Sequence, residues 1–358
     1  MQARGYHDYP GSGPLSLPEL MPAAANLMEY LAVARQDEVL VLTEYTVPEP
    51  VVSVIAVAAR AAGARTSVLA VEPFSPGGFD RDTPSPVVVG AWEQATVVIS
   101  CAWWAEVHTQ PLFFSRLGEL GARLAALHQT ATPGAMATGG RLPPAIFYEV
   151  KQRVLDLVVD AQELRVKTAQ GTDIVMRDLR FDTDNGPITE PGRWSPFPYG
   201  GVNWYPGDTQ GVVVLEETTV TGVPSDPTSL RVEANQVVDI AGGREVRELE
   251  RFSPSGYYVR HAFTGLNPKV RIKNAPQFER EKHAGAFYWG LDSLEAAGRG
   301  KPGFAHLDCQ FDFPTITVDG EPLVDDGYLL VLDHPGVRAT AARFGDPDRL
   351  LLPNPYLW

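Results

Sequence analysis

Glu38-Val39-Leu40-Val41-Leu42-Thr43 is a nearly unbroken apolar run, and its reading decides the fold of the first part of the chain. A run this short, bounded by turn residues, reads as a buried strand. Pro50 then opens a helix and Gly63 closes it, the usual asymmetry of helix ends. A second strand follows at 66–71. After a Pro- and Gly-rich loop, 86–94 reads as a short helix and 96–100 as a third strand. The segment 113–127 carries apolar residues at 113, 117, 120, 124 and 127, a helical spacing. Strands alternating with helices predict an α/β domain with an open, mostly parallel sheet and helices on both faces.

The texture changes in the second half. The segment 144–158 reads as one long helix with Ile146, Val150, Val154 and Leu157 on one face. The segments 164–168 and 172–176, joined around Gly171, read as a β-hairpin. Further strands are expected at 212–216 and 229–232, and Gly242-Gly243 introduces a charged helix over 244–252. We place a domain boundary near residue 160. Residues 1–160 form a Rossmann-like α/β domain, and 161–358 an α+β domain with a large antiparallel sheet that carries the chemistry. The length of 358 residues suits two domains.

Composition excludes several classes. A net charge of −14 argues against a phosphate-backbone partner. Two cysteines cannot make a disulfide framework, so a reducing, cytoplasmic setting is expected. No apolar run of membrane-spanning length occurs. Residues 1–18 lack the basic start and apolar middle of a signal peptide. No dinucleotide fingerprint, phosphate loop or Gly-x-Ser-x-Gly elbow is present.

The chain has seven histidines, and the informative one stands in His306-Leu307-Asp308. On a strand, residues i and i+2 project to one face. An imidazole and a carboxylate spaced this way can close on one metal ion, with Leu307 turned to the core. His261, just ahead of the turn Gly265-Leu266-Asn267-Pro268, is the candidate third ligand. Two histidines and a carboxylate are the ligand set of non-haem Fe(II) oxygenases. A histidine paired with an aspartate, without metal, is the plainer reading of the same motif. Zinc is the rival metal, although no His-Glu-x-x-His or Cys-x-x-Cys occurs. Cys309 would point away from such a site, and Cys101 ends a buried strand. His108 follows the third strand after Trp103-Trp104, where open α/β sheets gather ligands. Position alone does not separate a site histidine there from a surface one. Aromatic residues, including Phe287-Tyr288-Trp289, Tyr199, Trp204 and Tyr205, could form core or wall a flat substrate.

Gly192-Arg193-Trp194, Gly265-Leu266-Asn267-Pro268, Ala286-Phe287-Tyr288 and His306-Leu307-Asp308 occur in that order. Together they resemble the 2,5-dihydroxypyridine 5,6-dioxygenase family, Fe(II) enzymes of microbial nicotinic acid breakdown. That family is related to the M29-type metallo-aminopeptidases. The resemblance covers most of the chain. It implies iron ligands at His261, His306 and Asp308, with His108 as the acid/base histidine near the substrate. It also implies a cytoplasmic homo-oligomer, hexameric in the family.

Two departures matter. Pro196 stands where the dioxygenases carry a second pocket histidine, so a substrate hydrogen bond is missing or supplied by another residue such as Tyr199. Gly201 stands where the aminopeptidase branch carries a glutamate, and Tyr288 or Trp289 where it carries a further histidine, so a second metal would lack ligands. The expected function is an Fe(II)-dependent, extradiol-type ring-cleaving dioxygenase acting on a hydroxylated pyridine or related N-heteroaromatic. Tyr199, Trp204, Trp104 and Tyr288 are the expected substrate contacts. The alternatives are a one-metal zinc hydrolase on an aminopeptidase-like scaffold and a non-catalytic oligomeric binding protein. Neither a nucleic acid nor a membrane is an expected partner.

Overall fold

The computed structural model describes residues 17–72, 85–102, 121–127, 129–272, 275–294 and 306–352. Strands β1 (Glu38–Glu44), β2 (Arg65–Val71), β3 (Val97–Ser100) and β4 (Arg123–Ala126) pair in parallel. β1 is buried along nearly its whole length because helices cover both faces of this sheet. Val39, Val41, Val97 and Ile99 face helices α1 (Leu17–Tyr30) and α2 (Glu49–Ala61). Leu40, Leu42 and Val98 face the opposite way, toward Val88 and Trp92 of α3 (Pro86–Glu93). Gly63 ends the α2 segment in the left-handed region, with φ +90°.

One expected helix is corrected. Within 113–127, residues 113–120 lie outside the described residues, but Arg123–Ala126 is strand, not helix. Its residues are all buried, and it is hydrogen-bonded into the sheet beside β3. A short apolar run satisfies helical spacing and strand burial alike, and sheet pairing decides here. The long helix α4 is Pro144–Val158, as expected. Its buried stripe ends on Val154, Leu155 and Val158, however, and Leu157 is exposed.

The second sheet is antiparallel and contains fourteen strands among the described residues. It opens with the hairpin of β5 (Glu163–Lys167) and β6 (Asp173–Arg177), which turns near Gly171 at φ +109°. β7 (Arg180–Phe181) follows, and then the chain returns to the first sheet. There β8 (Trp194–Pro196) pairs in parallel with β4 as its fifth strand, giving the order β2-β1-β3-β4-β8. The antiparallel sheet resumes with β9 (Gly201–Tyr205), β10 (Asp208–Val214), β11 (Glu217–Thr218), β12 (Ser229–Glu233) and β13 (Gln236–Ala241). β10 begins and ends earlier than the expected 212–216. The charged helix α5 (Glu245–Phe252) leads to β14 (Tyr257–Gly265), β15 (Phe287–Ser293) and β16 (His306–Phe311). The fold thus combines a parallel α/β layer with a large antiparallel sheet, as the sequence predicts. Among the described residues no helix is long and apolar enough to cross a membrane.

Candidate active site

β14, β15 and β16 lie side by side, and their register builds the site. His261 of β14 is opposite Gly290 of β15, and Gly290 is opposite Asp308 of β16. Asp292 of β15 is opposite both Tyr258 and His306. Directly paired residues share a face of the sheet, as do residues i and i+2. Tyr288, Gly290 and Asp292 therefore line up with His306 and Asp308. β14 alone would break the pattern, because 258 and 261 are an odd number of residues apart. A register shift between Val259 and His261 absorbs the extra residue and keeps both Tyr258 and His261 on the shared face. Such bulges re-aim side chains beside functional sites. The other face is core: Leu307, Cys309, Trp289 and Leu291 are fully buried.

The imidazoles of His261 and His306 lie nearly parallel, with centroids 5.6 Å apart and planes 11° apart. His306 Nδ1 is 2.5 Å from Asp292 Oδ1, and its Nε2 is 2.9 Å from Asp308 Oδ1. His261 Nε2 is hydrogen-bonded to the Tyr288 hydroxyl. Asp292, with no exposed surface, also accepts from the Tyr258 hydroxyl and from Arg260, each at 3.2 Å.

The two histidines differ in charge. Burial, reinforced by the neighbouring His306, pushes His261 down to about 3, so it is neutral with a lone pair to offer. Burial also opposes charge on His306. The Asp308 charge and the hydrogen bonds to Asp292 and Asp308 outweigh it and raise His306 to about 10. That balance favours the imidazolium form of His306 between two carboxylates, and a metal at Nε2 would displace the Nε2 proton.

Among the described residues, no three His, Cys, Asp or Glu side chains converge in a geometry that could hold a metal. His261 and His306 instead spend their Nε2 atoms on Tyr288 and Asp308. The donor chemistry nevertheless fits a divalent metal: two imidazoles and a carboxylate on one face, with a buried carboxylate behind one imidazole.

The remaining expected residues scatter. His108 and Trp104 lie outside the described residues. Tyr288 touches His261 directly. Tyr199 has no exposed surface and packs among Tyr30, Phe147 and Phe197, with its hydroxyl directed to the Asn26 carbonyl. Trp204 is also fully buried, and its indole N–H donates to Thr264 Oγ1 at 3.0 Å. Both are core side chains in this structure rather than walls of the His261 face. One residue further along β9, Tyr205 is partly exposed, and its ring centroid lies 6.3 Å from that of His261. Gly201 leaves no room for a glutamate, since a Cβ there would stand 1.9 Å from the Thr264 carbonyl oxygen.

Sequence reasoning names Tyr205 among the aromatic residues without selecting it, and misses Tyr258, Arg260, Gly290 and Asp292. The signal for the last two was present. Tyr288-Trp289-Gly290-Leu291-Asp292 alternates, so a strand that presents Tyr288 also presents Gly290 and Asp292.

The family model described as 2,5-dihydroxypyridine 5,6-dioxygenase (NicX) matches residues 19–331. Among solved structures, the chain is similar to the 2,5-dihydroxypyridine dioxygenase of Pseudomonas putida KT2440. The TM-score is 0.72 at 20% identity, covering 91% of this chain and 100% of that one. It is also similar to wild-type AmpT of Thermus thermophilus, with a TM-score of 0.62 at 15% identity, covering 88% of this chain and 100% of that one. At these identities the two structures speak to the fold alone. No curated protein matches the chain.

Proposed function

The chain belongs to the 2,5-dihydroxypyridine 5,6-dioxygenase family, and from that premise we propose that it is an Fe(II)-dependent enzyme opening the ring of a hydroxylated pyridine or related N-heteroaromatic. The observation that supports this reading most is the face that His261 of β14 shares with His306 and Asp308 of β16, across β15. Those three side chains would hold the iron, with Tyr288 and Asp308 releasing the imidazole nitrogens they now engage. Iron, when bound, supplies a point where the ring hydroxyl and dioxygen meet and through which electrons pass from ring to dioxygen.

The chain's own residues do the rest. Tyr288 and Tyr205 flank His261 and would bracket a flat ring. His108 would take the proton from the substrate hydroxyl and return it later in the cycle, and Trp104 would contact the substrate. The closed backbone at Gly201 argues against a second metal supported by a glutamate there. We further propose that the protein works as a cytoplasmic homo-oligomer.

The test is anaerobic loading with Fe(II), followed by a panel of hydroxypyridines. Loss of ring ultraviolet absorption with stoichiometric oxygen uptake is expected. Turnover that needs zinc and proceeds without oxygen would replace the proposal with the hydrolase alternative.

A further inference from the structure

We propose that Asp292 is a positioning residue that fixes which nitrogen of His306 is offered to the metal. The inference rests on the metal assignment above and adds a residue that neither the motifs nor the family resemblance assigned. Asp292 is fully buried on β15, where an ionised carboxylate is costly unless it is paired and hydrogen-bonded. Here three donors converge on it from the strands on either side. His306 Nδ1 approaches Oδ1 at 2.5 Å, while the Tyr258 hydroxyl and the Arg260 guanidinium each approach Oδ2 at 3.2 Å.

The consequence lies at the other side of the imidazole. A histidine has two ring nitrogens, and the partner of one decides which of them is free to bind a metal. Nδ1 is committed to Asp292, so Nε2 is the nitrogen turned toward Asp308, beside the parallel ring of His261. The bulge of β14 belongs to the same device. It lets Arg260 reach Asp292 while His261 also stays on the site face. The guanidinium and the Tyr258 hydroxyl hold the second carboxylate oxygen, which keeps the first one aimed at His306.

A purely structural ion pair would stabilise the fold without affecting metal binding, so metal binding is the deciding measurement. Full-length wild type, Asp292→Asn and Arg260→Gln are titrated anaerobically with Co(II), with d–d absorption, metal content, circular dichroism and Tm followed on the same samples. His306→Ala serves as the control. We expect wild type to bind Co(II) and His306→Ala to lose it. Folded Asp292→Asn should bind 10–100-fold more weakly with an altered d–d spectrum, and Arg260→Gln should fall between it and wild type. Wild-type affinity and spectrum in folded Asp292→Asn would overturn the role of Asp292 while leaving the metal site intact. Equal Co(II) binding by wild type and His306→Ala would overturn the metal assignment itself, and the positioning role with it. If Asp292→Asn does not fold, the double variant Tyr258→Phe/Arg260→Gln takes its place. Weakened Co(II) binding there supports the proposal, and wild-type binding overturns it.

Discussion

The imidazole of His261 occupies the space that a side chain on Gly290 would need. A Cβ built on Gly290 would stand 2.7 Å from His261 Cε1 and 3.1 Å from each ring nitrogen. Glycine in a strand interior often marks such a close approach. Gly290→Ala should therefore push His261 away from its place opposite Asp308. We expect sharply reduced metal content and activity, with a stability loss of about 1–3 kcal/mol from overpacking. Wild-type metal content in Gly290→Ala would show that the ring position is unimportant.

Removing any one proposed ligand should empty the site. His261→Ala, His306→Ala and Asp308→Ala should each remain folded, yet retain metal only at background and show no ring cleavage. A three-ligand site has no spare protein donor. Metal analysis of anaerobically purified variants checks this, and an iron-replete, active His306→Ala would sink the assignment.

Cys309 sits between two site-side positions on β16 and is fully buried on the opposite face. Cys309→Ser should keep its metal and lose about 1 kcal/mol or more of stability, because a hydroxyl replaces a thiol in an apolar setting. Loss of metal with unchanged Tm would contradict the facing of the strand.

His108 is tested by kinetics. His108→Ala should keep iron and bind substrate, while turnover falls by roughly 10²–10⁴. The pH profile should lose the limb that reports the proton-carrying histidine. Wild-type turnover with an unchanged profile would leave the proton carrier unidentified.

Glu216 offers a stability test far in sequence from the proposed ligands. Burial, reinforced by the charge of Asp312, raises its carboxyl from 4.5 to about 7, with the Thr168 hydroxyl working the other way. Folding therefore favours the protonated form. The protonated side chain contributes fully below pH 4.5, and that contribution is lost as pH rises through 7. Glu216→Gln should match wild type in acid and exceed it above pH 7. Because the carboxyl is partly exposed, the gain should be only on the order of 1 kcal/mol. Urea melts at pH 4.5 and 8 decide it, and an equal difference at both would refute the titration argument.

Strand and helix placement in the first part of the chain was readable because burial there is simple. β1 shows its apolar run directly, and α2 shows its Pro and Gly ends. Arg123–Ala126 was misread because its neighbours in the sheet, not its own spacing, decide its state. His306-x-Asp308 was legible from strand alternation alone. Strand alternation places Asp292 on the face of Tyr288, but its pairing with His306 becomes visible only when β15 is registered against β16. Trp204 is buried in the core, whereas its neighbour Tyr205 approaches His261, a difference of parity. Adjacent residues on a strand face opposite ways, and an aromatic pair does not announce which member faces the core.

β8 ties synthesis to topology. Leu124 donates its backbone N–H to the Arg193 carbonyl at 2.9 Å, and Phe197 donates to Ala126 at the same distance. The Tyr30 and Ser195 hydroxyls also bond, linking α1 to that strand. On the ribosome, then, the opening layer cannot close when its first four strands have emerged. β4 waits with an unpaired edge while the long helix, a hairpin and a further loop are translated. A nascent chain stalled near residue 160 would present that edge to solvent and to chaperones. The first segment able to complete native pairing is one that has passed residue 196 and cleared the exit tunnel.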